Sequence, residues 1–359
     1  MQLYSESKNC FGCGACAAIC PAGAIAMRPD AEGFLYPAIN EALCVNCGAC
    51  EQTCPAKAEL PRREGHYCAL RCKDMDLLKK STSGGAFSLL AGEVLASGGL
   101  VCGAGFDENF HVRHVLSEDI APMRKSKYVQ SDMTECFVPI REALEAGKTV
   151  LFSGTPCQCH GLERFLGGRP ENLLLVAILC RGVASPGLWE DYAAWLGGGK
   201  LEAYDFRDKR RRNDAHTVAY TVDGAETAVT MDQDKLSRLY NRCLTYRPSC
   251  YACPYCDPEI DFDFSIGDFW GIENFEPKLY DGMGTSLVIA RSEKARALLN
   301  AVEDKATILL CTKENAQQTA LREPAKATLL RKLLFRDFAQ KGPDGHCNIE
   351  LILKKYAAG

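Results

Sequence analysis

The sequence predicts a small cysteine-built module at the N-terminus followed by an α/β core with a mixed sheet, an α+β assembly as a whole. Two observations predict it: a cysteine run that occurs twice within the first 55 residues, and, beyond residue 80, apolar runs that alternate with amphipathic helical stretches. The 359 residues are 47% hydrophobic and 25% charged, enough for a sizeable core split into two or three domains. A formal charge of −4 supplies no basic footprint for nucleic acid or for an anionic membrane surface. The opening "MQLYSESKNC" lacks a secretory apolar run, and no stretch reaches the roughly 20 apolar residues of a membrane span, so a cytoplasmic protein is expected.

In a reducing compartment the 21 cysteines are read as ligands rather than disulfides. "CFGCGACAAICP" (10–21) and "CVNCGACEQTCP" (44–55) share the spacing C-x2-C-x2-C-x3-C-P. Zinc sites use two CxxC pairs across a longer loop. The run here is the bacterial ferredoxin spacing, in which three thiolates hold one cubane and the fourth reaches the other cluster. Cys10, Cys13, Cys16 and Cys54 are therefore expected to hold one [4Fe-4S] cluster, and Cys44, Cys47, Cys50 and Cys20 a second. Gly12, Gly14 and Gly48 let the backbone turn toward cluster sulfurs, and Pro21 and Pro55 redirect the chain. Residues 1–58 thus read as a dicluster ferredoxin domain and 59–80 as a charge-rich linker in which Cys68 and Cys72 are packed thiols.

The core is divided into 81–145, 146–320 and a C-terminal helical extension, 321–359. "STSGGAFSLLAGEVLASGGLVC" predicts a helix over 85–97, closed by Gly98 and Gly99, and then a strand through Val101 and Cys102. "KTVLFSGTPCQCHGLERFL" gives strand, tight loop and helix. "NLLLVAILC" suits a strand buried on both faces, and in "SPGLWEDYAAWL" Ser185 caps a helix with Pro186 at its first position. Ligands of open α/β sheets sit beyond the carboxyl ends of strands, so the loops 154–158 and 180–186 should line one crevice. Each carries a cysteine, Cys157 and Cys180. With "RPSCYACPYCD", which holds Cys250, Cys253 and Cys256, they can assemble a third four-thiolate site. A structural zinc site and unrelated buried thiols are the alternatives there.

Taken together, "STSGGAF" (81–87), "SKYVQSD" (126–132), "VLFSGTPCQ" (150–158), "CRGVASP" (180–186), "FRDKR" (206–210), "RPSCYACP" (247–254), "IGDFWG" (266–271) and "GTSLV" (284–288) resemble the beta subunits of coenzyme F420 hydrogenase/dehydrogenase. The resemblance implies a flavoprotein core with FAD, a core [4Fe-4S] cluster, and hydride exchange between flavin and a bound partner such as the deazaflavin F420. It places Ser81, Thr82, Ser83, Gly84 and Gly85 at a helix N-terminus suited to the FAD pyrophosphate. Lys127, Tyr128 and Gln130 would meet the isoalloxazine or ribityl chain, with Thr155 and Gln158 nearby. Relatives often carry histidine where Arg181 stands and lysine where Cys256 stands, so the core ligands are taken as Cys157, Cys180, Cys250 and Cys253, with Cys256 as substitute. Cys159 is read as packing.

"GAGFDE" (103–108) lacks the third glycine of a dinucleotide fingerprint, and "RDKRRRND" (207–214) is read as a solvated loop, with an anion clamp for an acidic coenzyme or substrate as the alternative. Asp261, Asp263 and Asp268 alternate with phenylalanine as on a half-buried strand. The expected function is an iron–sulfur flavin oxidoreductase exchanging electrons with ferredoxin or another redox protein and hydride with a small molecule. The alternative is an electron-transfer protein that serves a partner enzyme and has no organic substrate of its own.

Overall fold

The computed structural model describes residues 3–198, 200–210, 216–342 and 345–357. Its strands are β1 (Ile25–Pro29), β2 (Leu35–Ile39), β3 (His66–Cys72), β4 (Leu100–Phe106), β5 (Val112–Ser117), β6 (Val150–Gly154), β7 (Leu173–Ile178), β8 (Leu201–Asp208), β9 (Thr217–Val222), β10 (Ala225–Thr230), β11 (Phe264–Asp268), β12 (Ser286–Ala290) and β13 (Ala306–Cys311). Eight form one mixed sheet in the order β13-β3-β12-β11-β7-β6-β4-β5. Its centre, β11-β7-β6-β4, is parallel, and the outer pairs are antiparallel. Parallel strands covered on both faces need continuous apolar sequence, which "LLLVAI" of β7 supplies: Leu173 to Ala177 are all buried.

Helix starts follow local chemistry. Ser185 accepts from the Leu188 amide and Pro186 opens the helix Pro186–Gly197. Thr155 and Gln158 form a reciprocal capping box at the start of Pro156–Phe165. This short β6-to-helix turn fixes where Cys157 points. "GAGFDE" runs along β4 into a turn to antiparallel β5, so no helix follows it.

Two readings of chain organisation are corrected. Residues 59–80 are no linker: β3 lies inside the large sheet between β12 and β13, with Cys68 and Leu70 at 1% and 0% exposure. Its alternation of small and apolar residues is hidden by charged flanks. The C-terminal helices Leu329–Phe338 and Ile349–Tyr356 are more than an extension of the core: they bury Leu334, Phe338, Ile352 and Tyr356 with Trp189 and Tyr192 in one apolar cluster.

The N-terminal module, with the β1-β2 hairpin and the short helices Ala15–Ala18 and Ala49–Thr53, is clamped to this core. Arg331 forks onto Glu32 (Nη1 to Oε1 2.9 Å), and Gly33 meets Gly187 so closely that a Cβ on Gly33 would stand 2.8 Å from the Gly187 Cα. Among the described residues no helix is long and apolar enough to cross a membrane.

Candidate iron–sulfur and flavin sites

Cys10, Cys13, Cys16 and Cys54 line one cavity of the N-terminal module, and Cys20, Cys44, Cys47 and Cys50 line another, with Cys50 reaching the rim of the first as well. Gly14 and Gly48 enter the two short helices at φ 82° and 74°, a left-handed turn that costs glycine nothing and brings each run around its cavity. Burial pushes the Cys16 thiol up to about 12 and raises Cys13 well above the ordinary thiol value, with the neighbouring thiols adding to it. Such thiols ionise only when metal takes the proton's place. Among the described residues no three His, Cys, Asp or Glu side chains close around a single metal ion. Four thiols lining one cavity are a donor set for a larger group, a thiolate-bound cluster.

A third cavity is lined by Cys157, Cys180, Cys250 and Cys253 together with Thr155, Gln158, Arg247 and Tyr255. Cys157 comes from the first turn after β6 and Cys180 from just past β7, so two adjacent parallel strands deliver them side by side. Cys250 lies in the 3-10 turn Pro248–Ala252, and Cys253 is its C-cap. Burial is the first cause raising Cys157 to about 11 and Cys250 to about 12; it also raises Cys180, where Cys250, Cys157 and Cys253 add to it. Cys256 does not line this cavity; its thiol is held against that of Cys253. Cys159 is buried with its Sγ 3.7 Å from the Gly154 carbonyl. The nearby Cys157 adds to the upward shift of the Cys13 thiol, and Phe11 lines both cavities.

Beside the third cavity opens one of about 220 Å³, beyond the carboxyl ends of the parallel strands. Ser81, Thr82, Ser83 and Gly85 line it ahead of the helix Ala86–Ala96, as do Lys127, Tyr128, Thr155 and Gln158. Thr155, Gln158 and the segment Cys180–Val183 border both this cavity and the four-cysteine one. Two expected residues lie elsewhere. Gly84 backs onto β3, where a Cβ would strike the Leu70 carbonyl at 2.0 Å. Gln130 turns its amide to the N-terminal module, Nε2 donating to the Phe11 carbonyl at 2.9 Å.

The sequence reading missed His114, Tyr240 and Asp268, all of which face this cavity, as does Arg181 of the expected loop 180–186. His114 Nε2 donates to the Ser153 carbonyl at 3.0 Å, which leaves Nδ1 to accept from Ser131 Oγ at 2.9 Å. Gln158 Nε2 donates to the same hydroxyl, and Thr155 Oγ1 joins Gln158 Oε1 to Cys157 Sγ at 3.0 and 3.2 Å. A continuous hydrogen-bonded chain thus runs from the large cavity to a core thiol. Burial lowers His114 to about 4, so the ring is neutral, and lowers Lys127 to about 7. Lys127 Nζ donates to the Arg124 carbonyl at 2.8 Å. In "RDKRRRND" the solvated-loop reading fails for its first residues: Arg207 is buried on Asp268, and Lys209 donates to the Ser83 carbonyl. Residues 211–214 lie outside the described residues. Asp263 is fully buried and accepts from the Leu175 amide.

A docked eight-cysteine module, a third thiol quartet and a cavity touching it define the class, an iron–sulfur protein of the oxidoreductase type. Residues 147–316 match the family described as the C terminus of the coenzyme F420 hydrogenase/dehydrogenase beta subunit, and residues 9–58 match the 4Fe-4S dicluster domain. Over 147–316 the chain is thus similar to the F420 hydrogenase/dehydrogenase beta subunits, and a 4Fe-4S dicluster domain stands in front of that segment. A curated relative, the F subunit of the F420H2 dehydrogenase of Methanosarcina mazei, is 26% identical over 189 residues, 48% of this chain and 53% of the relative. The chain spans about half the length of that relative. A chain of the F420-reducing [NiFe] hydrogenase complex from Methanosarcina barkeri superposes with TM-score 0.47 at 16% identity, over 82% of this chain and 99% of that one.

Proposed function

We propose that the chain is an iron–sulfur flavoprotein oxidoreductase that moves electrons between the two clusters of its N-terminal domain, a third [4Fe-4S] cluster on Cys157, Cys180, Cys250 and Cys253, and FAD in the large cavity. The single supporting observation is that Cys180 lines both the third thiol cavity and the large one. The clusters would supply one-electron steps and the flavin a two-electron hydride step, with reduced F420 or another organic compound as the partner. Ser81, Thr82 and Ser83 offer hydroxyls to the anionic part of the flavin, Tyr128 and Tyr240 (ring centroids 4.7 Å apart) form an aromatic wall, and Lys127 supplies a cation. The chain His114–Ser131–Gln158–Thr155 fixes Thr155 beside the Cys157 sulfur.

Anaerobic purification with iron, sulfide and flavin analysis tests the assignment: about twelve irons and one FAD per chain are expected from three cubanes and one flavin. Stopped-flow mixing with ferredoxin, reduced F420 and NADH then identifies the partner. The name of the Methanosarcina mazei relative, one subunit of a dehydrogenase, favours a second reading in which the chain relays electrons without an organic substrate of its own. Turnover that appears only when a partner protein is added would select that reading.

A further inference from the structure

Arg247 is 1% exposed, yet among the described residues no carboxylate lies within ion-pair distance of it. Its Nε donates to the Cys10 carbonyl at 2.8 Å, Nη2 stands 3.6 Å from Cys10 Sγ, and Nη1 donates to Gln130 Oε1 at 3.0 Å. The guanidinium lies 3.9 Å from the centre of the Tyr36 ring and against Gly12, where a Cβ would meet Nη1 at 2.6 Å. It also lines the cavity of Cys157, Cys180, Cys250 and Cys253.

Arginine keeps its charge in proteins, and a buried cation without a counter-ion is costly. Neither Tyr36 nor Gln130 supplies negative charge. The thiolates of the two quartets on either side do. We propose that Arg247 is the shared counter-cation of two iron–sulfur clusters, the one on Cys10, Cys13, Cys16 and Cys54 and the core one, and that it raises the reduction potential of both. Each cluster gains one negative charge on one-electron reduction, so a fixed cation beside it favours the reduced form. The cluster on Cys44, Cys47, Cys50 and Cys20 does not touch Arg247 and lies outside its reach. The core half of this proposal rests on the third-cluster reading above; the Cys10 half rests on the dicluster domain alone.

The test is a redox titration followed by electron paramagnetic resonance on the anaerobically reconstituted full chain, with iron and sulfide measured on the same samples. In Arg247→Gln, two of three cluster potentials are expected to fall by at least about 59 mV, a tenfold change in a one-electron equilibrium, while the third stays. Arg247→Lys, which retains the charge, should restore most of the shift. Gln130→Glu places a carboxylate against the guanidinium without removing it and should lower the same two potentials. Unchanged potentials at full iron content overturn the proposal. If Arg247→Gln loses iron, Gln130→Glu decides by the same criterion. If the wild-type chain holds two clusters only, the core reading fails, and a drop confined to one cluster still upholds the role of Arg247 while no drop rejects it.

Discussion

Gly161 faces Cys13 so closely that a Cβ on Gly161 would meet the cysteine sulfur at 2.9 Å and its Cβ at 3.0 Å. The same helix, Pro156–Phe165, carries Cys157 in its first turn, so one rigid element sets the spacing between an N-terminal quartet and the core quartet. A sulfur fixed on a cluster cannot retreat as a free side chain can. Gly161→Ala is therefore expected to displace Cys13 and lower the iron content by about four per chain, the content of one cubane. Iron and sulfide analysis beside an unchanged far-ultraviolet circular dichroism spectrum checks it. Full iron content would mean that the helix yields instead.

The placement of Cys256 outside the thiol cavity separates two candidate ligands three residues apart. Cys253→Ser should remove the core cluster, leaving about eight irons per chain, whereas Cys256→Ser should retain about twelve. If Cys256→Ser loses the iron and Cys253→Ser keeps it, the turn after Cys250 closes the other way round a bound cluster.

Much of the thiol architecture is legible in the sequence because its constraints are local or follow from sheet topology. The doubled run states its ligand spacing within 12 residues, and Cys157 and Cys180 are placed together by the rule that adjacent parallel strands end at one crevice. What stays hidden depends on distant partners. Gln130 stands within the recognised segment 126–132, but its hydrogen-bond acceptor, Phe11, is 119 positions away. Arg247 opens the motif "RPSCYACP", and nothing in that segment announces that it reaches Cys10. The one signal is Gly12, a glycine with no room for a Cβ. His114 sits in "VRHVLS" as a lone histidine on a strand, a pattern that by itself says nothing of the cavity. β3 escapes notice because its seven residues are flanked by lysines and arginines that read as a linker.

Lys127 gives the large cavity a pH dependence. Burial lowers its ammonium to about 7, so it is charged below that pH and neutral above it. If Lys127 meets the anionic part of a flavin, affinity of the flavin-free chain for FAD should weaken by up to about tenfold between pH 6 and pH 8, roughly one decade for each pH unit above the shifted value at most. Lys127→Met should bind weakly at both ends with a flat profile. Flavin fluorescence titrations provide the readout, and a flat wild-type profile would move the anion away from Lys127.

The neutral state of His114 makes stability depend on acid. Its folded value of about 4 lies below the ordinary 6.5, so between these limits the unfolded chain binds more protons. Its contribution is complete above about pH 6.5 and is lost as pH falls toward 4. At pH 5 the loss attributable to this ring is about 2 kcal/mol, from about 1.5 pH units at roughly 1.4 kcal/mol each. His160 and His216, also lowered to about 4 by burial, act in the same direction. His114→Gln keeps a polar group beside Ser131 but removes the titration. Its stability at pH 7.5 should be lower than that of the wild type, and its further loss on going to pH 5 should be smaller by about 2 kcal/mol. Urea unfolding at the two pH values measures both quantities, and equal losses in the two proteins would show that the folded His114 ring takes up a proton as readily as the unfolded one.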